Sequence, residues 1–112
     1  QHPVPGREIA LFSAMADKDI DAMLDLAATR FDGWFLADQP ANPRAVPAEA
    51  VATLLRARGQ SVISQSKNLR QGLRRAQAVM GPHDRLVVFG SFHTVAQAMA
   101  ALDKDLMKLE AA

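Results

Sequence analysis

The stretch "RLVVFGSFHTVAQAM", Arg85 to Met99, decides the fold. It opens as a continuous apolar run, turns at Gly90-Ser91, and goes on with helical spacing from Thr94. A short run of apolar residues without alternation suits a strand of a parallel sheet. A strand that feeds directly into a helix through one glycine corner is half of a strand–helix–strand unit. Working outward, the same unit recurs upstream. "EIALFSAM" (8–15) reads as a strand, followed by a helix in "DKDIDAMLDLAATR". Its face is Ile20, Met23, Leu24 and Ala27, and Asp19 stands at the cap. "GWFLA" (33–37) is a second strand. After the three-proline loop "DQPANPRAVP", Pro47 suits the first turn of the helix "AEAVATLLRAR", closed by Gly59. "SVISQ" is a weaker third strand. "NLRQGLRRAQAVM" is a helix from an Asn cap to a Gly81-Pro82 stop, and "TVAQAMAALDKDLMKLE" is the last helix. Four strand–helix units in strict alternation predict an α/β, Rossmann-like, mostly parallel sheet with helices on both faces and right-handed crossovers.

Composition narrows the possible functions. The chain has 112 residues, a formal net charge of +1 and no cysteine. One domain with one core is expected. Disulfides and cysteine-ligated zinc or iron–sulfur sites are excluded. The small net charge argues against nucleic-acid or membrane partners, and no apolar run approaches the ~18 residues of a membrane helix. The opening "QHPVPGRE" has no apolar signal-peptide core and reads as a loop, which predicts a piece of a longer chain. No Gly-x-x-x-x-Gly-Lys-Ser/Thr occurs, so the chain carries no nucleotide site of that kind.

In sheets of this type ligands gather at the carboxyl ends of the strands. Three loops with chemical content fall there: "SAMADKD", "DQPANPRAVP" and "GSFHT". In the last, Gly90 permits a tight turn and a close approach of another molecule. The helix start that follows favours a carboxylate or phosphate, with Ser91 donating its hydroxyl and His93 adding charge or a directional donor. The structural alternative is that Ser91 caps the helix near Thr94 and His93 is a half-exposed surface residue. Lys18, next to a helix start, is placed to grip a carboxylate as a compact cation; otherwise it is a solvated lysine between Asp17 and Asp19. Arg44, mounted between prolines, can meet a carboxylate or phosphate bidentately, or be one more loop arginine. Arg70, Arg74 and Arg75 read as a solvated helix face, with phosphate contact as the distant alternative. His2 and His83 have no partners at metal-ligand spacing.

Three motifs carry a resemblance. "VVFGSFHTVAQAM" resembles the end of the bacterial bifunctional dihydrofolate synthase/folylpolyglutamate synthase family, of the Mur ligase superfamily. "SAMADKDIDAML" is similar to that family's Gly-x-x-x-x-Lys-Asp strand–helix corner, and "NPRAVPAEAV" to its Pro-Arg-Ala loop, in the same order and spacing. The resemblance implies an ATP-dependent amide ligase in which a carboxylate becomes an acyl phosphate and the amine of L-glutamate attacks it. Dihydropteroate or folate is the implied acceptor, the setting cytoplasmic, and ATP and Mg2+ are bound mainly by the central domain of the parent chain. Residues 1–112 are then the C-terminal domain, truncated by its first strand and helix, which in the family end in an Asp-x-Ala-His-Asn-Pro segment. Carried over, Lys18 and Ser91 bind the glutamate carboxylates, with His93 and Arg44 in second rank, and no residue here is catalytic or a metal ligand. Ser13 departs from the glycine often found there. The fragment alone is expected to be inactive, and an unpaired sheet edge invites association between copies. The reading that competes with a ligase domain is a non-catalytic α/β module that binds a small anion or docks a partner through the same helix start.

Overall fold

In a computed structural model that describes residues 6–90, four parallel strands alternate with three helices. They are β1 (Glu8–Phe12), α1 (Ile20–Ala27), β2 (Gly33–Ala37), α2 (Ala48–Arg56), β3 (Ile63–Ser66), α3 (Leu69–Val79) and β4 (Arg85–Phe89), with a short 3-10 turn at Ala28–Arg30. The α/β, mostly parallel architecture expected from the alternation is what forms. Ser91, His93 and the final helix expected after Thr94 lie outside the described residues, as does His2.

The strand order is β3-β2-β1-β4. β1 is therefore central, pairing Ile9 with Gly33 and Phe12 with Leu36 on one side, and Ile9 with Leu86 and Phe12 with Phe89 on the other. Pleating splits each central strand between two cores. Ala10, Phe12, Trp34 and Leu36 meet Ile20 and Leu24 of α1 and Val51, Ala52 and Leu55 of α2. Ile9, Leu11, Phe35 and Ala37 meet Leu69, Leu73 and Ala76 of α3 on the other face. The assignment of helices to faces follows from the order. Strands β1 to β3 step one way across the sheet, and β4 returns past β1. A constant crossover hand then sends α3 to the opposite side. Phe12, Phe31, Trp34 and Phe89 gather on the α1/α2 face with ring centroids 5.0 to 5.9 Å apart, in mostly edge-on contacts worth roughly 0.5–1.5 kcal/mol each beyond area.

The helix ends follow local chemistry. Asp19 accepts from Ala22 N–H at 3.0 Å, and Asn68 accepts from Gln71 N–H at 2.8 Å. Pro47 has no side-chain acceptor to offer, and the Asp38 carboxylate takes the Ala48 N–H at 2.7 Å in its place. Gly59, at φ +83°, closes α2: Gly59 N–H reaches Arg56 C=O and Gln60 N–H reaches Leu55 C=O, the paired bonds of a Schellman turn. β1 stops at Phe12 rather than Met15, because the next residues swing out to pair with the loop after β2. Arg70, Arg74 and Arg75 are all exposed, as expected of a solvated helix face, and the Arg75 guanidinium in addition donates to Gln65 C=O at 2.7 Å on the outer strand β3.

At the amino ends of β1 and β4 an ionic clasp holds the sheet. Asp84 accepts from Arg7 N–H at 2.7 Å, from the Arg7 guanidinium at 2.8 Å and from Gly81 N–H at 2.8 Å. The Arg7 side-chain bond, then the two backbone N–H groups, hold the Asp84 carboxyl well below the usual carboxylate range. Arg7 also donates to Val79 C=O, and Arg85 pairs with Glu8 at 2.6 Å.

Candidate functional site

The chain order reverses between β1 and β4, and that reversal is where an open parallel sheet leaves a crevice beyond the carboxyl ends. The loop leaving β1 (13–19) stands at that point, and two others close on it.

The first is the loop after β2. It runs antiparallel to the β1 loop, with Ala16 N–H donating to Arg44 C=O at 2.7 Å, Val46 N–H to Ala14 C=O at 2.9 Å, and an isolated bridge between Met15 and Ala45. Asn42 adds a side-chain bond to the Met15 sulfur at 3.4 Å. Prolines at 40, 43 and 47 stiffen this loop by fixing φ, so backbone pairing costs it less entropy. The Arg44 guanidinium thereby comes 3.7 Å from Asp17, one residue from Lys18, with both side chains exposed.

The second contact comes from the end of β4. Gly90 has φ +120°, and a Cβ built there would lie 2.3 Å from the Ser13 carbonyl oxygen. The close approach expected at Gly90 is therefore made by the chain's own β1 end. Only glycine combines that dihedral with that distance. The residue after Gly90 is Ser91, so the β4 loop leaves the sheet against the residue where the Lys18 loop begins.

Lys18 is exposed, and its acidic neighbours are turned to other partners. Asp19 is committed to the α1 cap, and Asp17 faces Arg44. Among the described residues the Lys18 ammonium makes no ion pair, a state common to the solvated lysine and to the carboxylate-gripping cation that its sequence context allowed. The structure thus brings Lys18, Arg44 and the start of the Ser91 loop to one rim of the sheet. The positions of Ser91 and His93 themselves are outside the described residues.

Sequence reasoning missed a buried pair beneath this rim. Gln39 Nε2 donates to Ser13 Oγ at 2.7 Å, with both residues buried. The signal available was weak: a polar residue one position past the end of β1 and another two positions past the end of β2. Beside it, Asp38, Gln39, Asn42, three prolines and Lys67 line a cleft of about 420 Å³ at the tips of β2 and β3. Among the described residues no group of three or more His, Cys, Asp or Glu could hold a metal ion, and no helix is long and apolar enough to cross a membrane.

Residues 1–92 match the family described as Mur ligase, glutamate ligase domain. The chain is 33% identical over 101 residues to the dihydrofolate synthase/folylpolyglutamate synthase of Escherichia coli K12, covering 90% of this chain and 22% of that protein. Its fold superposes on Escherichia coli FolC in complex with ADP, without folate substrate, with a TM-score of 0.82 at 30% identity, over 95% of this chain and 24% of the other. A bifunctional folylpolyglutamate synthase/dihydrofolate synthase with Mn, AMPPNP and L-glutamate bound gives 0.77 at 31% identity, over 89% and 23%. The chain thus spans about a quarter of the length of these relatives or slightly less. A parallel sheet whose strand order reverses at a Lys-bearing loop, matched over most of its length by that family, belongs to the Mur ligases as a glutamate ligase domain.

Proposed function

We propose that residues 1–112 form the C-terminal domain of an ATP-dependent ligase that joins L-glutamate to dihydropteroate, to folylpolyglutamate or to both. In this reading the domain receives the incoming amino acid. The Lys18 ammonium and the Ser91 hydroxyl bind the glutamate carboxylates, with Arg44 and His93 at the margin. The observation that carries it is the meeting of three loops at the strand-order reversal: the Lys18 loop is bonded along its backbone to the Arg44 loop and packed under Gly90, which leads into Ser91. Similarity to a synthase with L-glutamate bound supports it.

The chain's part in the reaction is positioning. In the parent enzyme the glutamate amine attacks an acyl phosphate, the new C–N bond forms, and phosphate leaves with the C–O electron pair. Two carboxylates held by a cation and a hydroxyl leave that amine as the free end, and holding it near the acyl carbon removes much of the entropic barrier. For ATP and Mg2+ the sequence offers no Walker-type loop, and among the described residues no group of three or more His, Cys, Asp or Glu could hold a metal ion. Their binding is therefore assigned to the central domain of the parent, and the isolated fragment is expected to be inactive. A cytoplasmic setting goes with a reaction that consumes ATP. Self-association of the fragment is expected too, because β3 and β4 each have a single strand neighbour among the described residues.

The test is Lys18→Ala in the full-length parent. Losing a charge-assisted bond to a carboxylate, about 1.5–3 kcal/mol, should raise the KM for glutamate about ten- to a hundredfold. The KM for ATP should stay within about twofold. An unchanged glutamate KM rejects the assignment.

A further inference from the structure

The buried bond between Gln39 and Ser13 lies under the rim and touches neither Lys18 nor Arg44. Ser13 is the first residue after β1. Its carbonyl oxygen is what the Gly90 backbone packs on, and its chain continues through Ala14 and Ala16, which carry the backbone bonds to Val46 and Arg44. Ser13 is therefore the joint between the three loops. Gln39 reaches it from the end of β2, across 26 positions of sequence, with the one buried bond between two side chains among the described residues.

The bond is costly to keep. Gln39 is 7% exposed, and its Oε1 is buried without a hydrogen-bond partner among the described residues. Turning the amide over would put Oε1 on Ser13 and leave the NH2 orphaned in its place, so half of the amide is unpaired in either orientation. A leucine at 39 together with an alanine at 13 would fill similar space with no orphan, and replacing both partners of a buried bond by apolar groups of like shape is nearly neutral or stabilising. Stability alone does not account for glutamine here, and departures of this kind gather at functional sites.

We infer that Gln39, acting through Ser13, is a positioning residue for the amino-acid site: it fixes the Lys18 loop against the strand end that leads to Ser91. This rests on the site proposed for Lys18 and Ser91. The bond is also particular to a chain with a hydroxyl at position 13, where the family it resembles often has glycine.

The experiment uses the full-length parent with Gln39→Leu, Ser13→Ala and the double substitution, beside Lys18→Ala. Gln39→Leu should raise the KM for glutamate about three- to tenfold, with kcat changing less and the KM for ATP unchanged, while the melting temperature of the double variant, which leaves no orphan, stays level or rises. Ser13→Ala should raise the glutamate KM similarly, and the double variant should do no more than the larger single, because one bond is lost once. An unchanged glutamate KM in Gln39→Leu overturns the inference when Lys18→Ala has raised it. So does a rise accompanied by a lower melting temperature and a matching loss of kcat, which marks general loosening, and so does full additivity in the double variant. If Lys18→Ala itself leaves the glutamate KM unchanged, the site reading falls first and the Gln39 inference with it.

Discussion

The two ends of the sheet are built from different forces. At the amino ends, Asp84 collects three donors from Arg7 and Gly81, and Arg85 meets Glu8, so charge closes charge and the turn is tied to the strand. At the carboxyl ends the loops are joined mainly by backbone bonds and by one neutral buried pair, with an Asn42–Met15 side-chain bond and one exposed Arg44–Asp17 contact at 3.7 Å beside them. The Lys18 ammonium there is left without an ion pair among the described residues. An end that serves stability satisfies its own groups. An end that must accept a charged guest keeps some of its bonding capacity unspent.

Substitutions at each end can break that contrast. The largest effect is expected from Gly90→Ala. A Cβ 2.3 Å from the Ser13 carbonyl, at a φ that alanine avoids, should cost at least about 2 kcal/mol of stability and weaken glutamate binding together, because backbone must move at the joint of the site. Chemical denaturation of the domain and glutamate kinetics of the parent would read both. A wild-type urea midpoint in this variant would show that the loops are not pinned there.

Asp84→Asn should separate stability from binding at the other end. The substitution should lower the urea midpoint at pH 7 and leave the KM for glutamate alone. The sign with pH follows from the depressed carboxyl. The folded state holds that proton more weakly than the unfolded one, so the stabilisation is fully present above the unfolded value near pH 4 and drains away as pH falls further. Wild-type stability should therefore fall progressively as the pH drops below about 4, and the Asp84→Asn curve should be flatter there. Parallel curves would remove Asp84 from the account of acid lability.

Arg44→Ala is the smallest and sharpens the picture within the site. The backbone carbonyl of Arg44 holds the loop, and its exposed side chain sits beside Asp17 at 3.7 Å. Losing the guanidinium should raise the glutamate KM by about two- to fivefold, the scale of an exposed ionic contact, with no change in melting temperature. An effect equal to that of Lys18→Ala would promote Arg44 from the margin of the site to its centre.

The sequence by itself determined the elements and the fold class. The run Arg85–Phe89 and "GWFLA" read as strands, and Asp19, Asn68 and Gly59 marked helix ends where each now makes its capping bonds, because those signals act within a few residues of chain. It also pointed to Lys18, Arg44 and Ser91, through residue types at strand ends and through a family resemblance. Only the tertiary structure decided the strand order, which depends on which strand crosses past which. It alone zipped the Arg44 loop to the Lys18 loop, since that pairing joins segments nearly thirty positions apart through backbone groups that every residue carries. The buried Gln39–Ser13 bond belongs to the same class: a glutamine after one strand and a serine after another have no shared pattern until parallel pairing sets the two strand ends side by side.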